Sequence, residues 1–438
     1  MSKTVLSVCD KCVRNLTRVN NSSVHHARTL SAGVKLSTKH RRRLATSQAP
    51  PVFSLASHQL SNPGQDNAAV WRSCQSRGYR FSWLNGDTGV SKAVSEAEKI
   101  VGYPTSFLSL RCLFSDELST VALHIRKLVG TKHPLLKTAR GLVFDGKHNL
   151  QMRGLLVMLI SKAAGPNPDA EYAEQEMVSG VYPNQRSLAE ITEVIHTANL
   201  IHKGVVNLRD VLPEDGPLSD LEFGNKMAVL SGDYLLASAC TGLAKLENPT
   251  VLEKIAQSIG DMMTAEFTNF SDASGRPEMP DHCKGLSDWL SQTYLSIGSL
   301  VAKSCQSAMI LAGHSATFQS MAFAYGENMA YAQQLCSDLL PFLRRDELSS
   351  LSLTSAPLYM YKEQATAEQF SRLQQLLEAG PDNYEKVVNL VTGSGVVQQC
   401  KDLCGQYRDK AIASLGCYAD SEAKEALINM VTVVSDVR

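Results

Sequence analysis

The sequence predicts an all-α protein, a large helical bundle preceded by a segment of different character. From about residue 90 to Val434, apolar residues recur at spacings of three and four, the period of an amphipathic helix. No stretch shows the two-residue alternation of a half-buried strand, and Ala, Leu, Ser and Gln are abundant. We therefore expect one helical domain over residues 91–438.

Individual helices are placed by their apolar patterns and end signals. A Ser-x-x-Glu capping box predicts a helix start at Ser95, and Asp116 opens an amphipathic helix that closes at Gly130. The stretch from Gln151 to Ala164 is nearly all apolar and ends in Gly-Pro, so we expect it in the core.

Composition excludes several classes of protein. The chain has 438 residues, a formal net charge of +0 and a pI of about 7.1, so nothing global favours nucleic acid. The longest candidate apolar run, residues 154–160, is too short for a membrane span, and we expect no transmembrane segment. Eleven Cys lack paired metal spacing, and we interpret them as reduced, including Cys400 and Cys404 on one helix face.

Residues 1–60 differ from everything that follows. They carry ten Lys or Arg but a single acid, Asp10, and they are rich in Ser and Thr. This composition is typical of a mitochondrial transit peptide that is cleaved, and an ordinary disordered basic tail is the alternative. Residues 61–90 are rich in Gly and Asn and are interpreted as a linker.

One stretch, residues 187–210, carries the most informative pattern. Ser187 and Glu190 form a capping box that predicts a helix start, and apolar residues follow at helical spacing. Its frame resembles the first aspartate-rich helix of the trans-isoprenyl diphosphate synthases, E-x-I-H-x-A-x-L-x-H-D-D-x-x-D. The matching residues are Glu193, Ile195, His196, Ala198, Leu200 and His202. At the three aspartate positions this chain has Lys203, Gly204 and Asn207.

A second stretch resembles that family's other aspartate motif, F-Q-L-x-D-D-x-L-D-F. Gln334 matches, but the aspartate positions read Ser337, Asp338 and Pro341, so one carboxylate of three remains. In the family these carboxylates hold Mg²⁺, a hard cation that prefers oxygen ligands. The resemblance therefore implies no metal site in this chain.

Basic ligand positions have changed as well. The family's G-K-x-x-R-P is similar to residues 149–154, where only Arg153 survives. The Lys of Y-x-K-T-A-S-L is replaced by Ser296. By the resemblance, Arg153 and Gln334 are candidate diphosphate contacts. An ion pair that packs helices is the alternative for Arg153.

Frame residues, in contrast, are kept. The stretch Asn225 to Leu236 agrees nearly throughout with N-x-x-A-V-L-x-G-D-(Y/F)-L-L, and we expect Gly232 to permit close helix packing. Ala265-Glu266 resembles the central G-E-x-x-Q helix. A frame kept while both metal sites are lost implies an isoprenoid-synthase-like helical fold without catalysis by this chain alone.

The resemblance implies a partner. We expect a catalytic polyprenyl diphosphate synthase subunit with intact D-D-x-x-D motifs, which binds Mg²⁺ and joins this chain in a heterotetramer. The product would be the ubiquinone side chain, made in the mitochondrial matrix, with peripheral contact at the inner membrane. Ala198, five residues before the lost aspartates, would leave an elongation tunnel open.

Two other functions stay open. The same fold could serve as a non-enzymatic prenyl-lipid binder or scaffold, with residues 151–164 lining a tunnel rather than a plain core. An enzyme active alone through Asp233, Glu266 and Asp338 is the third reading of these motifs.

Overall fold

The computed structural model describes residues 88–102, 133–135, 152–167, 177–208, 211, 215–268 and 285–436. All of them belong to one compact unit, Gly64–Arg438. The predicted transit peptide and the predicted helix of residues 116–130 lie outside the described residues.

The described residues form helices joined by short turns. In chain order they are α1 (Thr88–Val101), α2 (Met152–Ala164), α3 (Pro183–Lys203), α4 (Leu218–Lys245), α5 (Pro249–Thr268), α6 (Leu286–Thr293), α7 (Ser299–Leu311), α8 (Ala316–Leu343), α9 (Ala356–Gln364), α10 (Ala367–Glu378), α11 (Tyr384–Gly393), α12 (Val396–Ser414) and α13 (Glu422–Val434). A π-helical turn, Tyr294–Gly298, joins α6 to α7, and the 3₁₀ turns Arg345–Ser350 and Pro381–Asn383 flank α9 and α10.

Within the described residues the only β-type contact is an isolated bridge between Val178 and Val181. The all-α prediction is therefore confirmed. Helix α1 starts at Thr88, within the last residues of the predicted linker, and passes through Ser95. Ser95 therefore does not cap a helix, and the capping box predicted there is wrong.

Helix α2 lies at the centre of the domain, as its apolar sequence predicts. Of its side chains only Lys162 and Ala164 are not buried. It packs against α3, α7 and α13, and it belongs to a large apolar cluster shared by those helices. Burial on all sides explains why its sequence shows no polar face.

Helix α3 begins four residues before the predicted start at Ser187. Pro183 occupies its first turn, where the missing N–H costs nothing. Gln185 then accepts a hydrogen bond from the backbone N–H of Tyr182 at 3.1 Å and donates to the carbonyl of Ala308 at 2.9 Å. A buried amide therefore fixes this helix end, and the Ser187–Glu190 box lies inside the helix.

A second apolar cluster surrounds the C-terminal half of α8 and includes α6, α9, α11 and α12. In the N-terminal half of α8, Gly326 allows close approach to α7, because a Cβ there would lie 2.8 Å from the Cα of Ala302. The motif residues lie at or near the C-terminal ends of α3, α5 and α8.

Helix α4 is long and apolar enough, by length and composition, to cross a membrane. It is the one described helix that meets this test, which core helices also meet, and 33% of its most apolar window is buried. We expected no transmembrane segment, and α4 is an exception to that expectation by its length and composition.

Candidate functional site

Lys203, the last residue of α3, takes the first aspartate position of the family motif. Its Nζ lies 2.8 Å from Oε1 of Glu266 on α5, and the two side chains are 15% and 29% exposed. Burial lowers the pKa of Lys203, and the neighbouring Glu266 carboxylate opposes that shift. The chain's own ammonium is therefore paired with the acid at the family's G-E position.

Gly204 and Asn207, the other two altered positions, lie in the loop after α3. Gly204 is buried and Asn207 is exposed. The loop is clasped by Asn225 of α4, whose Oδ1 accepts from the N–H of Val206 and whose Nδ2 donates to the carbonyl of Val206, both at 2.8 Å. Asn225 is a frame residue of the motif, so the loop keeps its anchor although the carboxylates are lost.

Gly232 brings α4 close to α3, as the sequence predicts. A Cβ at Gly232 would lie 2.2 Å from the imidazole of His202, so no other residue fits without displacement of that ring. His202 Nε2 lies 3.2 Å from Oδ1 of Asp233. Asp233 therefore faces a residue of α3.

A buried charged group lies deeper along α3. Glu193 Oε1 accepts a hydrogen bond from the N–H of Gly154 at 2.6 Å, and Arg153 lies beside it. Burial raises the pKa of Glu193 to about 7 and lowers that of Arg153 to about 10, while their mutual attraction opposes both shifts. Burial and the positive charges of Arg153 and Lys203 hold the pKa of His196 well below its usual value. Arg153, a candidate diphosphate contact, thus lies beside an internal acid.

Asp338, the single acid left in the second motif, is buried within a set of donors. Its Oδ2 accepts from Trp289 Nε1 and from the N–H of Ala356, each at 2.8 Å, and its Oδ1 accepts from Gln334 Nε2 at 2.7 Å. Burial raises the pKa of Asp338 to about 6 even though these donors favour the ionised form. Asp338 therefore ties α6 and the start of α9 to α8, and Gln334 is one of its partners.

The remaining second-motif positions are Ser337, which is partly exposed, and Pro341, which is buried. Pro341 lies in the last turn of α8. Because Pro has no N–H, it cannot donate to the carbonyl of Ser337, and the helix ends two residues later at Leu343. Neither side chain is a carboxylate.

The family's Lys position is Ser296, which is buried in the π-helical turn and donates to the carbonyl of Thr293 at 3.4 Å. About two helical turns further, on α7, Lys303 Nζ lies 2.7 Å from Oδ2 of Asp261. The Ser299 hydroxyl donates to the same oxygen at 2.5 Å. Asp261, on α5, therefore also has an internal cation.

Ala198 is fully buried in the apolar cluster around α2. A small side chain at this position is present, as the tunnel expectation requires. Whether a prenyl chain passes it stays a prediction.

These contacts bear on the Mg²⁺ that the fold family implies. Among the described residues no three His, Cys, Asp or Glu side chains are grouped so that they could hold a metal ion. The acids in and near the motif positions instead face Lys203, His202, Lys303 and the donors around Asp338. The donor set in the described part of the chain does not fit the family's Mg²⁺ sites.

Motif matching missed these internal partners. Lys203–Glu266 and Lys303–Asp261 join residues far apart in sequence, and the Trp289–Asp338 bond joins two helices. The signal available in the sequence was indirect: Lys203 places a cation where the family has an acid.

Comparisons with known proteins show which family this chain belongs to. The family model described as polyprenyl synthetase matches residues 134–392. The chain is 48% identical over 349 residues to the all trans-polyprenyl-diphosphate synthase PDSS2 of Mus musculus, covering 79% of this chain and 87% of that one. It is 31% identical to a probable mitochondrial hexaprenyl pyrophosphate synthase of Neurospora crassa, covering 81% and 90%.

Among solved structures, the heptaprenyl diphosphate synthase of Staphylococcus aureus has a similar fold. The TM-score is 0.57 at 17% identity, and the match covers 78% of this chain and 98% of that one. The family model spans more than half of the sequence, and the relative from Mus musculus spans most of it. The chain therefore belongs to the polyprenyl synthetase family.

Proposed function

We propose that this chain is the non-catalytic subunit of a heteromeric trans-polyprenyl diphosphate synthase. The observation that carries the proposal is the state of the acids near the motif positions. Lys203 neutralises Glu266, and Asp338 accepts three hydrogen bonds from protein donors. Without a carboxylate set for Mg²⁺ among the described residues, this part of the chain lacks the metal ions with which the family stabilises a leaving diphosphate.

The chemistry is then assigned to a partner of the same family with intact D-D-x-x-D motifs. That subunit would condense isopentenyl diphosphate onto an allylic diphosphate with Mg²⁺, in a heterotetramer. The relatives' names, polyprenyl and hexaprenyl synthase, support a long-chain product, for which we propose the ubiquinone side chain. The name of the Neurospora crassa relative and the basic residues 1–60 support a mitochondrial site, proposed as the matrix.

Three exposed apolar side chains on α4 and α5 support the need for a partner. Leu230 and Tyr234, one helical turn apart on α4, are 51% and 36% exposed, and Phe267 near the end of α5 is 64% exposed. Large apolar side chains left exposed on a protein surface are candidates for burial in an interface. We assign these three side chains, called here the α4–α5 face, to contact with the catalytic subunit.

The test is a prenyl-transfer assay with Mg²⁺, isopentenyl diphosphate and farnesyl diphosphate. It compares this chain alone, the catalytic subunit alone, and the two co-expressed. We expect product only on co-expression, with both chains in one purified complex. Product from this chain alone would refute the assignment. A chain that neither co-purifies nor changes the partner's activity would favour the alternative, a prenyl-lipid binder or scaffold.

A variant pair tests the face itself. Leu230→Glu places a charge on the α4–α5 face and is expected to abolish co-purification. Ser371→Glu adds the same charge to an exposed position on α10 and should leave the complex intact. Equal effects of the two variants would remove the α4–α5 face from the interface.

A further inference from the structure

The donor set of this chain departs from the family's Mg²⁺ sites at a specific position. The first aspartate position holds a cation, Lys203, and that cation contacts Glu266 near the end of α5. We propose that the Lys203 ammonium is a resident counter-ion that closes Glu266 to divalent cations. A carboxylate restored elsewhere in the loop would therefore not bind metal while Lys203 is present.

The contact distance supports this role. Lys203 Nζ lies 2.8 Å from Glu266 Oε1, the separation of a charge-assisted hydrogen bond. Mg²⁺ binds carboxylate oxygens at about 2.0–2.1 Å, so an ion and the ammonium would compete for the same oxygen. Because the side chains are 15% and 29% exposed, water screens their interaction only in part.

Among the described residues, the neighbouring acids Asp233 and Asp261 do not offer an alternative ligand set. Asp233 lies against His202 at 3.2 Å, and Asp261 is held by Lys303 at 2.7 Å. Glu266 and Asp261 both belong to α5. Lys203 of α3 pairs with Glu266, and Lys303 of α7 pairs with Asp261. Glu266, Asp233 and Asp261 thus each lie against a basic side chain of the protein itself.

This inference goes beyond the proposed subunit role. It predicts that this chain's folding is indifferent to Mg²⁺, and that it does not withdraw the ion from a catalytic partner. It also predicts which residue must change before metal binding returns.

The experiment measures Mn²⁺ binding by electron paramagnetic resonance on the purified full chain. Four proteins are compared: wild type, Asn207→Asp, Lys203→Met/Asn207→Asp and Lys203→Asp/Asn207→Asp. Asn207 is exposed, so Asn207→Asp adds a carboxylate with little change in packing. Lys203→Met removes the ammonium with an apolar chain and adds no ligand, which separates loss of the cation from gain of a carboxylate.

We expect wild type and Asn207→Asp to bind Mn²⁺ equally weakly. Lys203→Met/Asn207→Asp should bind at least about tenfold more tightly than Asn207→Asp, and Lys203→Asp/Asn207→Asp more tightly still. If the last variant does not fold, as judged by circular dichroism, the comparison of the Lys203→Met/Asn207→Asp variant with Asn207→Asp decides alone. Equal affinity in those two proteins would overturn the proposal, as would tight binding by wild type. The readout needs no partner or substrate, so it is independent of the subunit assignment.

Discussion

The two motif regions of this chain depart from the family's aspartate motifs in different ways. At the end of α3 the acids were replaced, and a Lys there neutralises an acid of α5. In α8 one acid stayed, and it now accepts hydrogen bonds from three protein donors. The difference teaches that a retained motif residue is not evidence of a retained function. Asp338 matches the family and joins helices through its hydrogen bonds, whereas Lys203 departs from the family and pairs with Glu266 of α5.

The largest expected effect is at Asp338. Asp338→Ala leaves the indole N–H of Trp289 and the N–H of Ala356 buried without their acceptor. Buried donors that lose their partner cost about 1–3 kcal/mol each, so we expect the free energy of unfolding to fall by about 3 kcal/mol in urea titrations. Asp338→Asn keeps one acceptor oxygen and should lose less. Equal loss in both variants would contradict a hydrogen-bonding role.

A pH experiment tests the α3 region. The folded pKa of Glu193, about 7, lies above the ordinary 4.5, so the folded protein holds this proton more tightly than the unfolded chain. Its contribution is therefore favourable at low pH and is lost as pH rises from about 4.5 through about 7. Relative to Glu193→Gln, the wild-type free energy of unfolding should fall over this window. Parallel curves would mean that Glu193 has an ordinary pKa.

The smallest effect is expected at Lys203. Lys203→Met leaves Glu266 without its cation, but both side chains are partly exposed, so the free energy of unfolding should fall by about 1 kcal/mol. Lys203→Arg keeps the charge and should lose less. A loss as large as that of Asp338→Ala would erase the distinction between the two regions.

The sequence predicts the fold class well because apolar spacing reports directly on burial. The apolar stretch 151–164 became the buried helix α2 for that reason. Two Ser-x-x-Glu boxes, at Ser95 and Ser187, lie inside helices, because the local pattern is equally compatible with a helix interior. Pro183, which does sit at a helix start, was the better signal.

The site was predictable only in part. The altered positions could be read from the motifs, but their new partners could not. Lys203 and Glu266 meet because the C-terminal ends of α3 and α5 come together in the folded chain, and no local sequence pattern reports that contact. The exposure of Leu230 and Tyr234 could not be predicted either, because an exposed apolar residue and a core residue look alike in sequence.

The clasp between Asn225 and Val206 has a consequence for hydrogen exchange. The N–H of Val206 belongs to a loop, yet its hydrogen bond runs to a side chain of α4. Its exchange with solvent deuterons therefore requires α4 and the loop after α3 to separate. The Val206 amide lies outside regular structure, but it should then exchange as slowly as the amides of α3 and α4.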